Sequence, residues 1–444
     1  MLVFTIAVFF TAAAAGCIDF RPEVKIVKYD VNATAGTITI TYKLRDLDAS
    51  KVNIYASWSI DGGATWENAT SGGGSGISGL SPGESYQEYT YIWNYAADIG
   101  TGRLTNVFFK IAGNDGYTGK SARIGPLTLG NPLVFVANYE TGKMHVINAS
   151  TLAQLDNSDS GYHPVALAVS PDGAKVYVSN EGSQTISIYT VATGNFENTF
   201  QVGASPGALA ISPDGGRLFA LLENDDEIAV FDLENLSRID TVPTGDNPVA
   251  LAFSPDNSAL YASSFGDNSI CIYDPDNLAA PYGTITLAGP PADFCFSVLA
   301  NGSIFCFVAC QAGENQNGCL EVFDMDDAAG NHSFVSVGAS PTAVEKDPSG
   351  YFVFVTNYDN DSVTVISSDT LSIIEANLEI PTARSSGAGP MDIALGNDGT
   401  TLYVACAKSG EVFTISATTF DVSMTAINLG GSPVAIGSSP IIKE

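Results

Sequence analysis

Apolar and polar residues alternate along this chain with a period of two, so short β-strands are expected to supply nearly all of its regular structure. From Leu133 onward the alternation carries a longer period. Aromatic residues set in apolar strands recur at Phe135, Tyr177, Phe219, Tyr261, Phe307, Phe354 and Tyr403, at first 42 residues apart and then 46, 47 and 49. A repeat of about 40–45 residues made of short strands predicts propeller blades, each a four-stranded sheet around a central channel.

The repeat parses into four strands. The innermost is the phrase PVALAVSPDG at Pro164, with copies beginning at Pro206, Pro248, Pro291, Pro341, Pro390 and Pro433. Its Pro-Asp-Gly triplet carries the turn chemistry that reverses the chain into a second strand, KVYVSN and its copies. TISIYT is a third strand and the more polar FENTFQVG a fourth. The region opens at Leu133 on a second strand and ends at Pro433 on an innermost one. The C-terminal strand is therefore expected to complete the first blade and remove the open edges of the ring.

The phrases VFVANY, VYVSNE and VFVTNY, together with SPDG, resemble the YVTN family of seven-bladed propellers. That resemblance implies a fold for residues 131–444 and says little about chemistry. Residues 22–130 read as a separate antiparallel domain, with strands in VKIVKYDV, TITITYKL, VNIYASWSI, YTYIWN, VFFKIAG and ARIGPLTL. All three tryptophans (Trp58, Trp66, Trp93) lie here, Asp61-Gly62-Gly63 signals a hairpin, and Ser71–Ser85 reads as an exposed Gly/Ser-rich loop. SIDGGATW, YIWN and FFKIAGNDG resemble an immunoglobulin- or fibronectin-like module. The expected fold class is all-β: a seven-bladed β-propeller preceded by an immunoglobulin-like β-sandwich.

Residues 1–21 read as a signal or anchor segment whose apolar run, the first sixteen residues, is too short for a typical membrane-spanning helix of about 20 residues. Ala14-Ala15-Gly16 before Cys17 resembles a bacterial lipobox, which implies lipidation of Cys17, a membrane anchor, and an extracellular cell-surface location in a prokaryote. Seven sequons, at Asn32, Asn68, Asn148, Asn235, Asn301, Asn331 and Asn360, are candidate glycosylation sites of an exported protein. The balance of 48 acidic against 18 basic residues gives a net charge of -30, which excludes a phosphate-backbone partner such as nucleic acid.

Six cysteines follow Cys17, all in the repeat region. Cys310 and Cys319 end one hairpin and are a candidate disulfide. Cys295 and Cys306 face each other across another, although a register slip of one residue would point them apart. Cys271 and Cys406 read as free buried thiols.

Histidine is scarce, with His145, His163 and His332 in different repeats, and no haem, nucleophile-elbow or nucleotide-binding motif is present. The pointed signal lies in the innermost strands. Where early repeats carry Ala166 and Ala168, Ala208 and Ala210, Ala250 and Ala252, the later ones substitute Asp293, Glu345 and Asp392. If that row faces the channel, three carboxylates would hold a hard cation, Ca2+ being the candidate cofactor, or raise one another's pKa. If it faces the neighbouring blade or a water-filled channel, the acids are simply solvated. Further acids at Glu223–Glu227, Asp359–Asp361, Asp46 and Asp48 read as solvated turn residues.

The main expectation is a non-catalytic surface protein, a propeller displayed on a β stalk for adhesion to protein or glycan partners. One alternative is a self-assembling subunit of a surface layer or filament. The other is a lactonase-like propeller hydrolase, for which Asp293, Glu345 and Asp392 are the candidate acid–base groups.

Overall fold

The computed structural model describes residues 22–438 except 33–36, 47–50, 60–63, 75–77, 83–84, 100–103, 115–120, 130–131, 192, 300–301, 312–317, 328–330, 383 and 397. Cys17, Asp48, the turn at Asp61-Gly62-Gly63 and the sequon residue Asn301 lie outside the described residues. Among them, no helix is long and apolar enough to cross a membrane. Contacts divide the chain into two compact units, Met1–Gly130 and Asn131–Glu444.

Among the described residues the first unit has eight strands: β1 (Glu23–Asn32), β2 (Thr37–Arg45), β3 (Asn53–Ser59), β4 (Glu67–Asn68), β5 (Ser71–Gly73), β6 (Gln87–Trp93), β7 (Leu104–Asn114) and β8 (Ala122–Leu129). They form two antiparallel sheets, ordered β1-β2-β6-β5 and β4-β3-β7-β8. This is the strand order of an immunoglobulin-like sandwich, with one additional short strand on the edge of the second sheet. Alternation decides the inner faces: Ile38, Ile40, Tyr42 and Leu44 of β2 meet Ile54, Trp58, Phe109 and Ile111 of the other sheet in one core. Trp58 stacks on Trp93 at 6.5 Å. The Trp93 Nε1–H donates to Asp98 at 2.7 Å, in the short helix α1 (Tyr95–Ile99), which fixes that ring. The expected loop at Ser71–Ser85 begins instead with strand β5, whose Ser71 pairs with Trp93. Gly73 and Gly74 have φ of 124° and 128°, so only glycine fits this irregular edge. Asp46, expected to be a solvated turn residue, is buried.

The second unit is seven four-stranded antiparallel sheets. Their innermost strands are Pro164–Val169, Pro206–Ile211, Pro248–Phe253, Pro291–Val298, Pro341–Lys346, Pro390–Leu395 and Pro433–Ser438. The last belongs to the first blade: Ala435 pairs with Ala137 and Ile436 with Val136, so the ring closes non-covalently. Across that seam Asn138 Nδ2–H donates to the Gly430 carbonyl at 2.7 Å, and the Tyr403 hydroxyl donates to the Ala149 carbonyl at 3.1 Å.

Apolar content falls from the second strands outward, and burial follows it. Leu133–Asn138 is buried throughout, whereas Phe196–Gln201 is almost entirely exposed. Each core cluster joins two adjacent blades. Tyr177, Ile186 and Ile188 of the second blade, for example, pack on Leu209, Ile211 and Leu218 of the third. The recurrent motifs are structural. In VYVSN, the buried Asn180 side chain donates to Thr185 Oγ1 and Ser187 Oγ at 3.2 and 3.1 Å, and accepts from Ser160. In SPDG, Asp172 Oδ1 accepts from the Ser170 hydroxyl at 2.6 Å and the Ala174 amide at 2.9 Å, closing a turn in which Gly173 has φ 67°.

Candidate functional site

The innermost strands place the three acids, and a β-bulge after each leading proline sets their direction. In the fifth blade Pro291 pairs with Cys310 but Asp293 pairs with Ala309. The same shift follows Pro341 and Pro390. The row that carries Asp293, Glu345 and Asp392 consequently looks toward the next blade. Asp293 Oδ2 accepts the Val344 amide of the sixth blade at 2.9 Å. Asp392 Oδ2 accepts the Ile436 amide of the first blade at 2.8 Å. Glu345 Oε1 accepts the Lys346 amide at 2.8 Å, and the carboxyl also takes the Leu395 amide of the seventh blade. Three successive blade junctions are thus stapled by carboxyl-to-amide bonds at strand edges that would otherwise lack acceptors.

Among the described residues no three His, Cys, Asp or Glu side chains form a metal-holding group. Each carboxyl accepts a backbone amide, Asp293 and Asp392 from the strand of the next blade.

Their electrostatics are unusual all the same. Burial pushes Asp293 up to about 6, Glu345 up to about 7 and Asp392 up to about 7. Mutual repulsion adds to this, with Asp293 acting on Glu345 and both acting on Asp392, while the amide hydrogen bonds pull the other way. These groups change charge near neutral pH, as acid–base catalysts must.

One of the three opens into a cavity. A pocket of about 470 Å³ sits where innermost strands end, lined by Glu345, Lys346, Ser297, Leu395 and Ser438 together with the turn Asp347–Gly350. Lys346 is the cation among its lining residues, and its Nζ donates to the Phe296 carbonyl of the preceding blade. The Ser438 hydroxyl donates to the Leu395 carbonyl at 2.5 Å. Buried Asp347 accepts the Phe352 amide at 2.7 Å and holds the turn closed. Sequence reading found Glu345 and missed Lys346. The signal was available, since basic residues are few and this one follows Glu345 directly.

The remaining candidates are dispersed. His145 is buried in the first blade, where burial lowers it to about 4. His163 is stacked between Tyr139 and Tyr162 at 4.1 and 3.8 Å. Glu223, expected to be solvated, is half-buried and raised to about 6, first by burial and then by Glu181. Asp359 accepts from Ser340 and Lys408 and lies below the usual carboxylate range.

All six described cysteines are free thiols. Cys310 lies directly opposite Cys319, but no disulfide joins them. Cys295 pairs with Phe307 and Cys306 with Phe296, so these two point to opposite faces and cannot bridge. Of the sequon residues, Asn68, Asn235, Asn331 and Asn360 are exposed. Asn148 is buried, its Oδ1 accepting the Ser150 and Thr151 amides at 2.9 Å.

Comparison with known proteins changes the functional reading. The family described as "Lactonase, 7-bladed beta-propeller" matches residues 131–253. No curated protein matches the chain. A proposed 6-phosphogluconolactonase from Bacteroides fragilis superposes with a TM-score of 0.55 at 17% identity, covering 69% of this chain and 98% of that one. Hydrazine synthase of Kuenenia stuttgartiensis superposes at 0.55 and 18%, covering 63% and 90%. The dihydro-haem d1 dehydrogenase NirN superposes at 0.53 and 14%, covering 68% and 74%. At such identities the superpositions speak for the fold. The lactonase match overturns the expectation of a non-catalytic adhesion protein and favours the hydrolase alternative.

Proposed function

We propose that this chain is a lactonase-type propeller hydrolase whose site is the pocket at Glu345. The observation that carries the reading is a carboxyl group raised to about 7 that lines a 470 Å³ cavity beside a lysine. A base with a pKa near ambient pH combines a useful ionised fraction with enough basicity to accept a proton. Glu345 takes a proton from water as the water oxygen attacks the ring carbonyl. The carbonyl π electrons move to oxygen, and Lys346 is the charge available to that oxyanion. Collapse of the intermediate breaks the acyl C–O bond, and the ring oxygen leaves as a hydroxyl with the proton from Glu345. Asp293 acts at a distance, since its charge raises the affinity of Glu345 for its proton.

The substrate class is a small lactone without a phosphate. A phosphate dianion calls for several fixed donors, and a single lysine in a protein of net charge -30 does not provide them. The YVTN-like repeats serve here as scaffold, and the lipobox-like start of the chain supports a setting outside the cytoplasm. The test is ring opening across a panel of neutral and phosphorylated lactones by wild type, Glu345→Gln and the rim variant Asp359→Asn. The reading requires turnover of neutral lactones, lost in the first variant and kept in the second. Absence of turnover across the panel would sink it.

A further inference from the structure

The fifth blade holds two thiols and a carboxyl together in one buried constellation. In the second blade Asn180 reaches Thr185 and Ser187, and in the sixth Asn357 reaches Ser362 and Thr364, at 3.3 Å or less. The equivalent positions of the fifth blade hold Cys310, Cys319 and Glu321. Other blades hold still other residues here, Leu222, Glu227 and Ala229 in the third and Cys406, Glu411 and Phe413 in the seventh, and only the fifth sets two thiols opposite each other beside a carboxyl. Glu321 is 1% exposed. Its Oε2 accepts the Ala288 amide at 2.9 Å and the Cys310 thiol at 3.7 Å, while its Oε1 meets His332 Nδ1. His332 in turn stacks on Phe323 at 4.8 Å and keeps some exposure to solvent.

We propose that Cys310 and Cys319 are a redox-active dithiol that exchanges with small-molecule disulfides, Glu321 receiving the Cys310 proton and passing it toward His332. Directly opposed residues of an antiparallel pair lie about 4.5–5.5 Å apart at Cα, inside the range a disulfide spans. The partly buried Cys319 is the sulfur an incoming molecule reaches, and the fully buried Cys310 is the resolving thiol. The hydrogen bond between the two thiols lowers Cys319 toward thiolate and, with burial and Glu321, raises Cys310.

The chemistry balances. Cys319 thiolate attacks one sulfur of RSSR, forming a mixed disulfide and expelling RS⁻, which takes up the proton Cys319 had released. Cys310 gives its proton to Glu321 Oε2 and attacks the Cys319 sulfur. The bond to R breaks, and the second RS⁻ is protonated through the Glu321–His332 pair. Two protein thiols are oxidised and one RSSR is reduced to two RSH.

The experiment incubates reduced full-length protein with glutathione disulfide and follows intact mass and cysteine peptides. Expected is a loss of two hydrogens mapped to a Cys310–Cys319 link, reversed by dithiothreitol, with Cys271, Cys295, Cys306 and Cys406 still alkylatable after denaturation. Cys310→Ser should trap a glutathione adduct at Cys319. Glu321→Gln should accumulate that adduct as ring closure slows about tenfold or more. A Cys319 that takes no adduct in Cys310→Ser would overturn the proposal. So would a link that resists excess dithiothreitol, or closure in Glu321→Gln at the wild-type rate.

Discussion

Two populations of carboxylate occupy the same seven repeats and behave in opposite ways. At the blade turns, Asp214 and Asp256 accept bonds from Ser212 and Ser254 at 2.5 and 2.6 Å, in contact with water, and their pKa values fall. On the innermost strands, Asp293, Glu345 and Asp392 also accept backbone bonds, yet theirs rise to about 6, 7 and 7. The hydrogen-bond donors are similar. What differs is solvent and company: the turn acids keep their hydration, while the inner acids lose it and sit within one another's field. A hydrogen bond to a carboxylate therefore does not by itself say whether the group is structural or poised for chemistry.

The comparison breaks most visibly in catalysis. Glu345→Gln should lower kcat/KM for a neutral lactone by about 100-fold or more, because the base is removed. Asp392→Asn should cost less than about tenfold, since it faces the Ile436 amide and does not line the pocket. Equal losses, measured as steady-state rates, would mean that the pocket does not single out Glu345.

Stability against pH comes next. The inner acids have folded-state pKa values above their unfolded ones of about 4, so the native state binds more protons in that window. Stability should fall as pH rises from about 4 to 7, and level off above. Asp392→Asn retains an acceptor for the Ile436 amide without a charge to bury. Urea denaturation should show it more stable than wild type at pH 8 by about 2 kcal/mol and less sensitive to pH.

The turn acids should give the smallest effect, with the opposite sign. Their folded pKa values are lowered, so their contribution is present above about pH 4 and is lost as pH falls through the folded value. Asp256→Ala should cost at most about 1 kcal/mol at pH 7, since the group is exposed and screened. The same denaturation series at pH 3 should find that difference reduced.

Much of the ring is legible in the sequence because a blade is local. Pro164–Val169 and the strands that follow it are adjacent in the chain, and turn chemistry joins them. The direction of Asp293 is not local. It depends on a bulge after Pro291 and on which face meets the next blade, a relation made about fifty residues away at Val344. The same shift separates Cys295 from Cys306, since the fifth innermost strand runs on to Val298 in a register that pairs each with a phenylalanine. Strand β5 was missed because three residues, Ser71–Gly73, carry too little pattern to outweigh their glycines. Glu345 was legible as an oddity among alanines. Its pocket was not, because Ser297, Leu395 and Ser438 come from three other blades.

The most direct test of the account is the pH dependence of kcat/KM for neutral-lactone hydrolysis in wild type and Glu345→Gln. The account predicts a wild-type rate that rises with pH and inflects near 7, and a variant that is about 100-fold slower with no inflection there. The same inflection surviving in the variant would contradict the assignment of Glu345 as the base.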